Sequence, residues 1–127
     1  MTSFRTDLAR ARGLGSIKSG ATHFWRSRVT GFANLVLLFF LIFSVFRLAG
    51  APLTEVRAYF SSPFVAALAG LMAISMAQHM RLGMQVIIED YIHKESVKLT
   101  MVMLNTFFAA LVSATCLIAI IKLSLGA

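Results

Sequence analysis

The sequence predicts an all-α membrane protein with three transmembrane helices, forming part of a hetero-oligomeric helix bundle. Three observations predict this. First, 58% of the 127 residues are apolar and only 13% are charged, and the mean hydropathy is +0.81. Soluble domains average roughly 45–50% apolar and about 25% charged. Second, three long apolar runs are each able to cross about 30 Å of hydrocarbon. Third, the basic residues are unevenly placed. Six of the twelve, Arg5, Arg10, Arg12, Lys18, Arg26 and Arg28, precede residue 29, and only Asp7 opposes them there. Such asymmetry orients membrane proteins. The net charge of +7 forms no stripe through a folded domain, so nucleic acid is not the expected partner.

Residues 1–27 read as a polar cytoplasmic segment, helical in part over 6–11, with Gly13, Gly15 and Gly20 breaking any long helix. The anchor domain follows over 28–127. Its first span is expected over 29–49. A loop with Gly50, Pro52, Arg57 and Pro63 leads to the second span at 64–88. The polar stretch 89–98 is a short loop, and the third span covers 99–125. The basic region and first apolar run loosely resemble a signal peptide, but Arg47 interrupts the approach to the small-residue stretch Ala49-Gly50-Ala51. Cys116 has no partner for an intrachain disulfide and is expected to pack as a small hydrophobe. The N-terminal segment and second loop carry eight Lys/Arg. The first loop and C-terminus carry three, Arg47, Arg57 and Lys122. The positive-inside rule therefore places the N-terminus in the cytoplasm, or in the matrix of an organelle.

The chemistry concentrates on the second span. His79 lies deep within it, and Asp90 and Tyr91 stand where it ends. Eleven residues are three turns plus roughly 20°, so His79 and Asp90 share a face, about 16 Å apart along the axis. Ionisable groups at such depth are functional candidates. Ser75 and Gly83 flank His79 one turn either side, and small residues there let a helix or a flat ligand approach. Two readings stand open: a ligand to haem iron or another transition metal, or a histidine bonding across a helix interface. His93 is too far along the helix, and His23 too near the surface, to complete a bis-histidine site with His79. A second ligand would then come from another chain.

Asp90 sits where a carboxylate opposes the helix dipole. Tyr91 reads either as an interfacial anchor or as a donor to a quinone carbonyl. Trp25 and Arg26 suit interface anchoring. Arg28 could pair with an anionic group such as a haem propionate. Arg81, two residues past His79, faces away from it and must snorkel, pair, or meet a propionate. Asn105 and Thr106 in the third span are expected to bond between helices.

The stretch His79-Met-Arg-Leu-Gly83-Met-Gln-Val-Ile-Ile-Glu-Asp90-Tyr91 resembles the second helix of the small hydrophobic membrane anchor of succinate dehydrogenase, respiratory complex II. That pattern is a histidine, a glycine four residues on, and Asp-Tyr eleven and twelve residues on. Arg28 and Thr30 resemble the arginine and small hydroxyl residue that open the family's first span. The resemblance covers about residues 23–125 and is of the alphaproteobacterial or mitochondrial type.

The resemblance implies a non-catalytic member of an oxidoreductase complex in the tricarboxylic acid cycle and aerobic electron transport. His79 would be an axial ligand of haem b iron, paired with a histidine of the complex's other, sister membrane anchor. Tyr91 and Asp90 would serve the ubiquinone site. Arg28 matches an arginine near the haem propionates, and His23 resembles a family histidine at a spacing shifted by one. Ser75, Gly83 and Arg81 would belong to the haem surroundings. FAD and iron–sulfur clusters would sit on partner chains, the flavoprotein and the iron–sulfur protein, docked on the side of Asp90 and Tyr91. The expected location is the bacterial inner (plasma) membrane, or the mitochondrial inner membrane. Two alternatives are the anchor of a quinol:fumarate reductase and a haem-free structural or accessory membrane protein.

Overall fold

In the computed structural model, described over residues 18–126, four helices account for nearly all of the described residues, and no strand occurs among them. They are α1 (Lys18–Leu48), α2 (Leu53–Phe60), α3 (Pro63–Tyr91) and α4 (Glu95–Leu125). The three long helices are apolar and long enough to span a bilayer. The expected helix over 6–11 lies outside the described residues.

Each span is longer than its apolar run. Among the described residues α1 runs from Lys18, so residues 18–27 are helical and continuous with the first span, and Gly20 does not interrupt it. A single interior glycine costs only about 1 kcal/mol. Packing of His23, Arg26 and Thr30 toward α3 outweighs it; these residues and Asn34 recur at i, i+3, i+7 and i+11, one helix face. The polar stretch 89–98 is mostly helical too. α3 runs through Tyr91, residues 92–94 turn, and α4 starts at Glu95.

The loop after α1 contains a helix that the hydropathy pattern does not disclose. Gly50 takes φ of 75°, a conformation natural to glycine, and ends α1. Pro52, extended at φ −66°, caps α2, and Pro63 opens α3, a position where its missing N–H is harmless. α2 folds back on α1. Tyr59 OH donates to Ser44 Oγ at 2.8 Å, while the Ser44 hydroxyl donates to Phe40 O at 2.8 Å. Arg47 and Glu55 meet at 3.6 Å across the same corner, both exposed, so the pair contributes little.

α3 is the central element: α1 packs on one side of it and α4 on another, with α2 touching α3 and α4 at the far end. Little is buried: Gly70, Met72, Ala77, Leu82 and Ile88 of α3, Ala109 of α4, and Ser44 of α1. Large apolar side chains from Phe32 to Leu125 are exposed. In a bilayer such surface is solvated by lipid or covered by other helices. Association then rests on close packing and interhelical hydrogen bonds rather than on expelled water. One such bond, Asn105 Nδ2 to Arg81 O at 2.9 Å, ties α4 to α3 and meets the expectation for Asn105. Thr106 instead bonds within its own helix, to Val102 O at 2.9 Å.

Candidate functional site

The site begins where α1 crosses α3. His79 Nδ1 lies 3.1 Å from Thr30 Oγ1. The Thr30 hydroxyl points its proton at backbone carbonyls of its own helix, Arg26 O at 2.9 Å and Ser27 O at 3.2 Å. With its proton engaged there, Thr30 Oγ1 accepts from His79 Nδ1–H. The ring is then the Nδ1–H tautomer and Nε2 keeps its lone pair, as a metal-binding imidazole requires; the tautomer is assigned from this hydrogen-bond pattern.

The helices approach closely here. A Cβ added to Gly31 would stand 3.3 Å from His79 Cε1, so glycine lets the backbone of α1 lie against the imidazole. Ser75, one turn before His79, turns the same way and donates to Thr30 O at 3.4 Å, a long bond. Gly83, one turn after, meets nothing within 4 Å. The small residues flanking His79 therefore divide: Ser75 serves the α1–α3 contact within this chain, and Gly83 opens outward. His79 is itself exposed. Among the described residues no three His, Cys, Asp or Glu cluster as a bare metal ion would need. A flat macrocycle asks this chain for one imidazole, and the donor set fits that demand: a free Nε2, a fixed ring, and an open glycine beside it.

Asp90 and Tyr91 are at the end of α3, both exposed, Tyr91 by 78%. Neither makes a hydrogen bond or ion pair among the described residues. Their neighbour Glu89 is engaged, accepting from Gln85 Nε2 at 2.7 Å. His93 lies in the turn between α3 and α4.

The remaining arginines go elsewhere. The Arg28 guanidinium stacks 4.3 Å from the centre of the Phe24 ring and is exposed. It is two residues from Thr30, some 200° round α1, and so points away from the crossing. Arg81, likewise two residues from His79, lines a cavity with Arg26, Thr30, Gln78 and Leu82. Arg26, Arg81 and His23 share a neighbouring cavity. The structure thus joins His79, Thr30, Gly31 and Ser75 in one cluster and His23, Arg26 and Arg81 in another.

Sequence reasoning missed Gly31, Gln78 and Gln85, and gave Thr30 no part in orienting His79. The spacing of Gln78, Arg81 and Gln85, at i, i+3 and i+7, is a readable sign of a polar stripe on α3. Nothing in the sequence pairs Thr30 with His79, 49 residues away.

Residues 2–114 match the family of succinate dehydrogenase/fumarate reductase transmembrane subunits. The chain belongs to that family. It is 28% identical to the succinate dehydrogenase hydrophobic membrane anchor subunit of Rickettsia typhi over 117 residues, covering 92% of this chain and 94% of the relative. The protein of the same name from Paracoccus denitrificans is 31% identical over 117 residues, covering 92% and 90%. No solved structure matches. Membership agrees with the three membrane-spanning helices and makes the chain a multi-pass membrane protein.

Proposed function

We propose that this chain is the hydrophobic membrane anchor of a succinate:ubiquinone oxidoreductase, ligating haem b through His79 and completing a ubiquinone site with Tyr91 and Asp90. One observation carries the reading: the hydrogen bond from His79 Nδ1 to Thr30 Oγ1, which holds the ring and leaves Nε2 free beside the open Gly83. The bond to Thr30 alone is what a histidine bonding across a helix interface also makes; the ligand reading is favoured by the second nitrogen, left unbonded at an exposed face.

The same openness implies partners. A second histidine would be supplied by the sister membrane anchor, a helix of which would cover the face carrying His79 and Gly83. Held there by His79, haem b would supply one-electron chemistry. This chain's residues do the positioning. Thr30 fixes the tautomer and ring plane, while Gly31 and Gly83 leave room on either side. At the end of α3, the Tyr91 phenol donates a hydrogen bond to a quinone carbonyl, with Asp90 beside it to relay protons. Tyr91 lies about 100° round from Asp90, so a quinone held by its phenol would sit to one side of the face that carries His79 and Asp90. The basic N-terminal side faces the cytoplasm, or the matrix, of an energy-conserving inner membrane. The iron–sulfur protein and the flavoprotein, with its FAD, dock there. Quinol:fumarate reduction would use the same anchor chemistry; the names of the relatives favour succinate oxidation.

Two substitutions in the assembled complex test the reading. His79→Ala should abolish or disturb the b-type absorbance, and an unchanged spectrum and redox potential would reject the ligand assignment. Tyr91→Phe should lower succinate–quinone activity while sparing succinate oxidation by a soluble acceptor. Equal activities in both assays would remove Tyr91 from the quinone site.

A further inference from the structure

A polar space lies mostly on a different side of α3 from His79 and shares only Thr30 with the cluster around that histidine. Counted by helical phase, Gln78, Arg81 and Gln85 centre more than about 90° round the helix from His79 and farther still from Gly83. One cavity of about 350 Å3 is lined by Arg26, Thr30, Gln78, Arg81 and Leu82. A second, of about 330 Å3, adds Thr22, His23 and Gln85. Arg26, Arg81 and Leu82 line both, so the two are contiguous.

Its charge is one-sided. Two guanidinium groups and an imidazole line it, and no carboxylate does among the described residues. The nearest acid along α3, Glu89, is bonded to Gln85. Arg81 Nε and His23 Nε2 are shielded from solvent, yet neither has a hydrogen-bond partner. A sheltered polar group without a partner is costly, and more so for a charge at membrane depth. An anion supplies what is missing, and the planar arginine fork is suited to phosphate.

Position selects the kind of anion. Gln85 lies six residues, about 9 Å, before the end of α3 at Tyr91, and Arg81 about 15 Å before it. α3 has 29 residues, about 43 Å of helix against roughly 30 Å of hydrocarbon. The cavity therefore opens near headgroup level. Toward mid-membrane it is prolonged by a groove of about 350 Å3 between α3 and α4, which shares Gln78 and Arg81 and is floored by Ala77, Ala109 and Ala114. Through Leu117 this meets an apolar cavity of about 450 Å3 alongside Gly70 and Leu71. A cationic head end followed by an apolar channel is complementary to a lipid.

We propose that His23, Arg26 and Arg81 bind the phosphate of an anionic phospholipid from the leaflet at the Tyr91 end, with an acyl chain along the α3–α4 groove. The site requires only that the helices span a bilayer, so it stands or falls separately from the haem and quinone assignments.

The test uses the complete detergent-purified complex, delipidated and then titrated with phosphatidylglycerol, phosphatidylcholine or inorganic phosphate. Binding is followed by native mass spectrometry and by thermal unfolding. Phosphatidylglycerol should bind the wild-type complex saturably and raise its unfolding temperature, and phosphatidylcholine should do so far less. Arg26→Gln with Arg81→Gln should weaken phosphatidylglycerol binding at least about tenfold, as expected for losing charged hydrogen bonds. Arg81→Lys, which keeps the charge but not the fork, should fall between. Equal binding of the two lipids by the wild-type complex would overturn the proposal, a result that needs no variant to assemble. So would an equal temperature rise with inorganic phosphate, which would indicate a free-anion site, or undiminished lipid binding by the double variant.

Discussion

Thr30→Val is the sharpest test of how this chain prepares His79. Valine keeps the β-branched shape of threonine, so α1–α3 packing changes little, but it removes the oxygen 3.1 Å from Nδ1. The bond is between neutral groups and partly exposed, so its direct loss costs about 1 kcal/mol, or about fivefold in binding. Freeing the ring to rotate and to change tautomer adds to this. Removing partners that orient metal-bound histidines costs about 10–100-fold in metal affinity. Haem release from the purified complex to an apoprotein scavenger should therefore accelerate about tenfold, with a shifted midpoint potential. Thr30→Ser, which restores a hydroxyl, should return both toward wild type. A Thr30→Val complex that assembles normally and matches wild type in haem content, release rate and potential would refute the reasoning.

Two further outcomes follow from the same contacts. Gly31→Val should deplete haem more than Gly31→Ala, because even an alanine Cβ would stand 3.3 Å from His79 Cε1 and the valine methyls demand further displacement; equal haem content in the two variants would count against the close approach. Asn105→Leu removes the α4–α3 bond to Arg81 O and should destabilise the anchor by about 0.6 kcal/mol, the usual worth of such a bond in a membrane, measured by denaturant titration in detergent micelles; a loss above about 2 kcal/mol would mean that packing, not the bond, is at stake.

The three spans are legible in the sequence because each is a long apolar run, and lipid tolerates little else. Their ends are less so. Hydropathy marks where the chain stops being oily, not where the backbone stops being helical, so the helical turns at residues 18–27 and 95–98 fall outside the spans it defines. α2 escapes notice because eight mixed residues between two prolines carry a weak pattern. His79, Gly83, Asp90 and Tyr91 are visible together because they lie on one helix, where spacing converts directly into geometry.

Residue order along α3 thus determined which groups share a face and at what depth, since helical periodicity is local. It could not determine which nitrogen of His79 is held, or that Ser75 turns inward while Gly83 faces outward. Nor could it bring Arg26 and His23 to Arg81. Those depend on the rotation and height at which α1 docks against α3. That docking is set by contacts between residues far apart in the chain, notably Thr30 with His79 and Gly31 against the Cε1–Nδ1 side of its ring. Local periodicity carries no information about such pairs, so the crossing of two helices decided the orientation of the histidine.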